Sequence, residues 1–166
     1  HSVQGLVDEI IIVDTGSTDR TKEIAQSFGA KVFDFAWCDD FAAARNESLK
    51  HATGDWILVL DADEVLAAED HERIKEAVRA GDFAGYRLLT RNYSNDSSLS
   101  GWQPALEDPY AKSFQGWYPS VKVRLFQRHE TVLFHGEMHE LIDEAVAKRG
   151  KVAALPVSVH HYGAEK

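Results

Sequence analysis

The sequence has little of what would tie it to disulfides or to a lipid bilayer. Cys38 is the single cysteine among 166 residues, which excludes an intramolecular disulfide and fits a reducing compartment. No apolar run reaches the roughly 18 residues that a transmembrane helix needs. The predicted location is therefore cytoplasmic.

Positive charge is also scarce. The chain has 18 Lys and Arg against 27 Asp and Glu, for a net charge of -9. Such a balance argues against nucleic acid or an anionic membrane as the main partner. The 44% hydrophobic fraction is that of an ordinary globular protein, and the length predicts one domain over 1–166.

The most informative stretch is GDWILVLDADEVL at 54–66. Its apolar run, Trp56 to Leu60, predicts a buried central strand of a parallel α/β sheet. Asp61 and Asp63 would follow at the carboxyl end of that strand, where such sheets bind ligands, and would point the same way. Two convergent carboxylates suit Mg²⁺ or Mn²⁺, with a diphosphate completing the shell. Alternatively, Asp63 or Glu64 starts the next helix as a cap.

A βαβ unit is predicted before this stretch. It comprises a strand from Val7 to Val13, a helix from Thr21 to Phe28 and a strand from Lys31 to Phe35. Asp14 would lie at the tip of its first strand. The following loop lacks GxGxxG, so no dinucleotide fingerprint is present.

A helix over 42–53 would carry Arg45 toward the same sheet edge, where its charge could meet a phosphate or a base. The alternative is a surface arginine paired with Asp39 or Asp40.

The segment from Tyr93 to Pro119 is rich in Ser, Asn, Gly and aromatic residues. A loop of this length indicates either a functional lid or sugar-stacking surface, or a satellite core.

Three motifs in order, VDTGSTD at 13–19, ARN at 44–46 and LDADE at 60–64, resemble the family 2 glycosyltransferases of the GT-A fold. FHGEMHE at 134–140 and HYG at 161–163 are similar to the bacterial subgroup of lipopolysaccharide-core and cell-envelope enzymes. The resemblance implies a Rossmann-like, three-layer α/β/α domain with a mostly parallel central sheet. Family members begin with a further strand and helix, so it also implies an N-terminally incomplete domain.

The implied activity is metal-dependent, inverting transfer of a sugar from a nucleotide diphosphate, with a UDP-sugar favoured. The acceptor would be a cell-envelope glycan, lipid or protein, reached by peripheral association with the inner face of the membrane. The resemblance assigns roles as follows: nucleotide binding to Asp14, Thr15, Gly16, Arg45 and Asp61; metal binding to Asp61 and Asp63, with His161 as a further metal or phosphate ligand; and the general base to Glu140, with His139 and Glu137 behind it. Thr15 departs from the family, which often has a second Asp there.

Two other functions remain open at this point. LVLDADEVL also resembles the first motif of haloacid-dehalogenase-like phosphohydrolases, in which Asp61 would be the nucleophile. A glycosyltransferase-like module that binds without catalysis is the second alternative.

Overall fold

The computed structural model describes residues 1–136 and 141–163, which form an α/β fold. Its strands are β1 Ile11–Asp14, β2 Lys31–Asp34, β3 Trp56–Leu58, β4 Glu64–Leu66, β5 Gly85–Ser94, β6 Gln103–Pro104, β7 Gly116–Gln127 and β8 Val152–His161. Its helices are α1 Thr21–Ser27, α2 Phe41–His51, α3 His71–Ala80 and α4 Asp143–Ala147, with a 3₁₀ turn at Ala68–Asp70. No described helix is long and apolar enough to cross a bilayer.

The described strands form two sheets. β1 and β2 make a parallel pair, and a larger sheet has the order β3-β7-β5-β8-β4, with β6 added on β7. Within the larger sheet β5 and β8 are parallel, whereas β3–β7, β5–β7, β4–β8 and β6–β7 are antiparallel. The α/β fold predicted from the sequence is confirmed, with more antiparallel pairing than a mostly parallel sheet implies.

The run from Trp56 to Leu60 is not a central parallel strand. β3 lies at one end of the larger sheet and pairs only with β7 among the described strands. The run is apolar because it is half-buried and packs on both faces: Ile57 and Val59 lie against one core cluster, and Trp56, Leu58 and Leu60 against another. Packing on both faces gives the same apolar sequence pattern whether the partner strand is parallel or antiparallel.

Helices cover both faces of the larger sheet. On one face, α3 packs through Ile74 against Leu125 of β7 and Val159 of β8. On the other, α4 packs through Val146 against Phe126 of β7, with α2 contributing to the same cluster. Leu125 and Phe126 are neighbours on one strand and point to opposite faces, as strand geometry requires. The resulting layers hold β4 and β8, which carry the site.

The long segment from Tyr93 to Pro119 forms a satellite core rather than an open aromatic surface. Tyr93, Ala105 and Ala111 are buried, and Phe114, Trp117 and Tyr162 pack against them. The satellite-core alternative is the one that the structure shows.

An open groove of about 690 Å³ separates the two sheets. Its lining includes Ile11 of β1 and all three residues of β3. Among the described residues, β1 pairs only with β2 and β3 only with β7. Each of the two strands therefore has one edge with no described strand beside it.

Candidate donor-binding site

Asp61 and Arg45 form an ion pair that joins α2 to the acidic segment after β3. Arg45 Nη2 donates to Asp61 Oδ1 at 2.6 Å. The N-terminal end of α2 is fixed by Asp40, whose Oδ1 accepts from Ala43 N at 2.9 Å. Burial raises the pKa of Asp61, but the charges of Arg45 and Arg124 outweigh it, so that the pKa lies below its usual value. The predicted meeting of Arg45 with the acidic cluster is therefore found.

A buried ion pair lies beneath Asp61. Arg124 of β7 binds Glu64 of β4 through two hydrogen bonds, at 2.9 and 2.5 Å, and their side chains are only 6% and 2% exposed. Glu64 Oε2 also accepts from Asp61 N at 2.8 Å, and Arg124 Nη1 lies 3.8 Å from Asp61 Oδ2. Glu64 begins a strand, so the reading of Asp63 or Glu64 as a helix cap is wrong.

Asp63 and His161 meet at the ends of two segments that are far apart in sequence. β4 pairs with β8 so that Glu64 lies opposite His161, and Tyr162 N donates to Asp63 O at 3.1 Å. These bonds place His161 Nε2 3.6 Å from Asp63 Oδ1. The two side chains thus bring a ring nitrogen close to a carboxylate oxygen.

The donors around Asp63 fit a divalent cation that is held partly by substrate. Among residues 1–136 and 141–163, no group of three or more His, Cys, Asp or Glu is arranged to hold a metal. Mg²⁺, however, commonly takes one or two carboxylates and completes its shell with phosphate oxygens and water. A Cβ on Gly163 would collide with Asp63 Oδ2 and lie 2.9 Å from His161 Nε2, so only glycine fits at this position beside the two side chains.

His160, the neighbour of His161, belongs to the core. Its Nδ1 lies 2.8 Å from the Tyr93 hydroxyl, and its ring stacks on Tyr110 at 4.0 Å. Burial lowers the pKa of His160. Successive residues of β8 point to opposite faces of the sheet, so His160 lies in the core while His161 lies beside Asp63.

Asp14 ends β1 as predicted and organises the loop that follows it. Its Oδ2 accepts from Gly16 N at 3.1 Å and from Ser17 N at 2.9 Å. These bonds, foremost those from Ser17, hold the pKa of Asp14 below its usual value. Gly16 has a φ of 119°, which favours glycine, and both Thr15 and Gly16 are exposed. The loop presents backbone and a small side chain to solvent.

The structure thus brings Asp61 to Arg45, and Asp63 to His161. Glu137, His139 and Glu140, the candidates for the general base, lie outside the described residues.

Sequence reasoning missed Glu64, Arg124 and Asn92 as parts of this site. The signal for Arg124 was a charged residue within a run that is otherwise apolar, VRLF at 123–126. Asn92 gave no comparable signal, because its contact with His161 depends on the pairing of β5 with β8.

Comparison with known proteins identifies the family. The model of "Glycosyl transferase family 2" matches residues 1–141. The chain belongs to this family. That membership replaces the haloacid-dehalogenase-like alternative.

Relatives of this glycosyltransferase chain include longer proteins. It is 35% identical to a TPR repeat-containing protein of Synechococcus elongatus, over 98% of this chain and 37% of that protein. It is 30% identical to the SPbeta prophage-derived glycosyltransferase SunS of Bacillus subtilis, over 84% of this chain and 30% of SunS. The chain thus spans about a third of the length of these two relatives.

Solved structures share the fold at low sequence identity. S. aureus TarS 1-349 in complex with UDP-GlcNAc has a TM-score of 0.59 at 17% identity, over 95% of this chain and 50% of that one. Glucosyl-3-phosphoglycerate synthase from Mycobacterium tuberculosis, in complex with Mn²⁺, UDP and phosphoglyceric acid, has a TM-score of 0.56 at 18% identity, over 97% and 62%. The glycosyltransferase family 2 chain therefore has the GT-A fold of these enzymes.

Proposed function

We propose that this chain binds a UDP-sugar through a divalent cation and transfers the sugar, with inversion, to a glycan, lipid or protein acceptor of the cell envelope. The observation that carries the proposal is the meeting of Asp63 and His161 beside the ion pair of Asp61 and Arg45. The TarS complex with UDP-GlcNAc and the Mn²⁺–UDP complex of the mycobacterial synthase support it.

Asp63 and His161 would hold Mg²⁺ or Mn²⁺, with diphosphate oxygens completing the shell. When bound, the cation supplies positive charge at the leaving diphosphate, where negative charge develops during transfer. By holding the cation in one position, Asp63 and His161 would set where the diphosphate binds.

Asp61 has two roles to offer, as a ligand of the metal–nucleotide complex and as the partner of Arg45. Its 2.6 Å bond to Arg45 supports the second role. Arg45 held in this way presents its guanidinium to a phosphate or to the base. Asp14, Thr15 and Gly16 would receive the nucleoside on the loop after β1.

Inverting displacement needs one general base at the acceptor hydroxyl. Glu140 is the proposed base, with His139 and Glu137 as the other candidates. An acceptor in the cell envelope would be approached peripherally from the inner face of the membrane, which makes a cytoplasmic location part of the same proposal.

The domain assignment is also a proposal. Residues 1–166 would form part of a single catalytic domain, whose sheet is completed by a further strand of a longer chain lying between β1 and β3. The groove supports this, since β1 and β3 both line it and each has one edge that no described strand pairs with.

The test is titration calorimetry of UDP and of GDP into the protein, with and without Mn²⁺. UDP should bind in a Mn²⁺-dependent way, and Asp63→Asn should weaken that binding by more than about tenfold, or 1.4 kcal/mol. Asp55→Asn, which changes an exposed carboxyl group at the start of the same stretch, is the matched control and should bind as the wild type does.

Turnover separates an enzyme from a binding module. Release of UDP from UDP-GlcNAc or UDP-glucose in the presence of Mn²⁺ would support transfer, whereas binding without any release would indicate the non-catalytic module. Failure of both nucleotides to bind would contradict the proposed function.

A further inference from the structure

The side of His161 that faces away from Asp63 is held by an asparagine. Asn92 lies opposite His161 in the parallel pairing of β5 with β8, and Asn92 Oδ1 lies 2.9 Å from His161 Nδ1. Asn92 is buried. Its amide is therefore shielded from water, so its orientation is set by the protein atoms around it.

The orientation of the Asn92 amide follows from its other partners. Asn92 Nδ2 lies 3.1 Å from Tyr118 O and 3.1 Å from Ser120 Oγ, both on β7. A backbone carbonyl only accepts hydrogen bonds, so the amide atom that faces Tyr118 O must be the NH₂ group. Asn92 Oδ1 consequently faces His161.

The proton on the imidazole follows in turn. Oδ1 of an asparagine only accepts, so His161 Nδ1 must carry a hydrogen and donate it. In the neutral ring that leaves the lone pair on Nε2, the atom that faces Asp63 Oδ1 at 3.6 Å. Two electron-pair donors then face each other across a distance longer than a hydrogen bond.

The distance between these two donors suits a shared cation. Two ligand atoms about 2.1 Å from an octahedral Mg²⁺ at right angles are about 3 Å apart, so Asp63 Oδ1 and His161 Nε2, at 3.6 Å, would draw slightly closer together around the ion. Histidine binds metals through a neutral ring nitrogen whose partner nitrogen donates to a fixed acceptor, and loss of that acceptor typically costs about 10- to 100-fold in metal affinity.

We propose that Asn92 is a positioning residue, which fixes His161 as the Nδ1–H tautomer so that the Nε2 lone pair is ready for a cation shared with Asp63. This inference rests on the proposed metal-dependent function. Asn92 makes no contact with the cation in this scheme and acts through His161 alone.

A purely structural role for Asn92 is the competing explanation, since its amide also ties β5 to β7. Three variants separate the two. Asn92→Leu removes the acceptor for His161 together with both bonds to β7. Asn92→Asp keeps an acceptor for Nδ1–H while losing the donor to Tyr118 O. Ser120→Ala, the matched control, removes one bond of the Asn92 amide and leaves its contact with His161 in place.

The first measurement is the ¹⁵N chemical shifts of the histidine rings in the protein without metal, with His161→Gln used to assign the signal. The wild type, Ser120→Ala and Asn92→Asp should show a protonated Nδ1 and an unprotonated Nε2 when the ring is neutral. Asn92→Leu should lose this preference. An unprotonated Nδ1 in the wild type, or an unchanged tautomer in Asn92→Leu, would overturn the inference.

The second measurement is the affinity for Mn²⁺ in the presence of UDP, by calorimetry. Asn92→Leu should bind Mn²⁺ about 10- to 100-fold more weakly than the wild type, with Ser120→Ala unchanged and Asn92→Asp much less affected. Equal losses in Asn92→Leu and Asn92→Asp would show a structural role only and overturn the inference. If the wild type itself binds no Mn²⁺, the metal site and the inference fail together, whereas a wrong tautomer in a protein that binds Mn²⁺ removes only the role of Asn92.

Discussion

The two sheets of this protein differ in how deeply they are buried. In the larger sheet, Leu88, Tyr93 and Val159 have no exposed surface. In the smaller one, Asp14 is the only buried residue of β1, and α1 has no buried residue among those described. Hydrophobic stabilisation increases with the buried apolar area, so the larger sheet is the stable part of the fold. The smaller sheet buries little of its own and depends for its stability on contacts with the rest of the protein. Asp63 and His161, the proposed metal ligands, lie on the stable part, and the loop after β1, which is proposed to receive the nucleoside, lies on the other.

The largest expected effect comes from breaking the ion pair inside the larger sheet. Glu64→Ala leaves Arg124 charged and buried, which should lower the free energy of unfolding by about 3 to 5 kcal/mol. Urea denaturation measures this. Glu23→Gln, which breaks an exposed pair with Arg20 on α1, is the control and should leave the midpoint unchanged.

A loss in Glu64→Ala no greater than in this control would contradict the description of the larger sheet as the stable part. Glu64 touches the proposed site through its carboxylate, which accepts a hydrogen bond from Asp61 N, so the expected loss is one of folding stability.

A second prediction compares the two sheets directly, by amide hydrogen exchange. Amides of β1 and β2 should exchange through local opening, well before those of Leu88 and Val159, which should require global unfolding. Equal protection of the amides in both sheets would contradict the conclusion that the smaller sheet is the less stable of the two.

The same comparison explains what the sequence could predict. The βαβ unit of the smaller sheet was predictable because its signals are local: two apolar strands and a helix, with Gly29 at a φ of 80° after the helix. The direction of β3 was not predictable, because an apolar run records burial on both faces and nothing about the partner strand. Asp61 and Asp63 could be singled out from their spacing. Their partners could not, since Arg124 and Asn92 are set by long-range strand register.

The smallest effect concerns Glu9, which ties the smaller sheet to the turn before β3. Its carboxylate accepts from Lys31 Nζ at 2.9 Å and from Thr53 N at 2.6 Å. These bonds, foremost that from Lys31, lower the pKa of Glu9 to about 2 from 4.5. Because its pKa is lower in the folded than in the unfolded protein, the Glu9 carboxyl group stabilises the fold fully at a pH above its unfolded pKa of 4.5. This contribution is lost as the pH falls from 4.5 toward 2.

Glu9→Gln should therefore cost about 1 kcal/mol at neutral pH, because the bonds are partly screened by solvent. Its stability curve should also be flatter than that of the wild type between pH 4.5 and 2, as measured by urea denaturation across this range. Asp34→Asn, which breaks the exposed pair between Asp34 of β2 and Lys22 of α1, is the matched control. If both variants lose the same stability with the same pH dependence, the Glu9 bonds contribute no more to stability than an exposed ion pair does. If only Glu9→Gln speeds the hydrogen exchange of the β1 amides, the Glu9 carboxylate helps to hold the smaller sheet against the larger one.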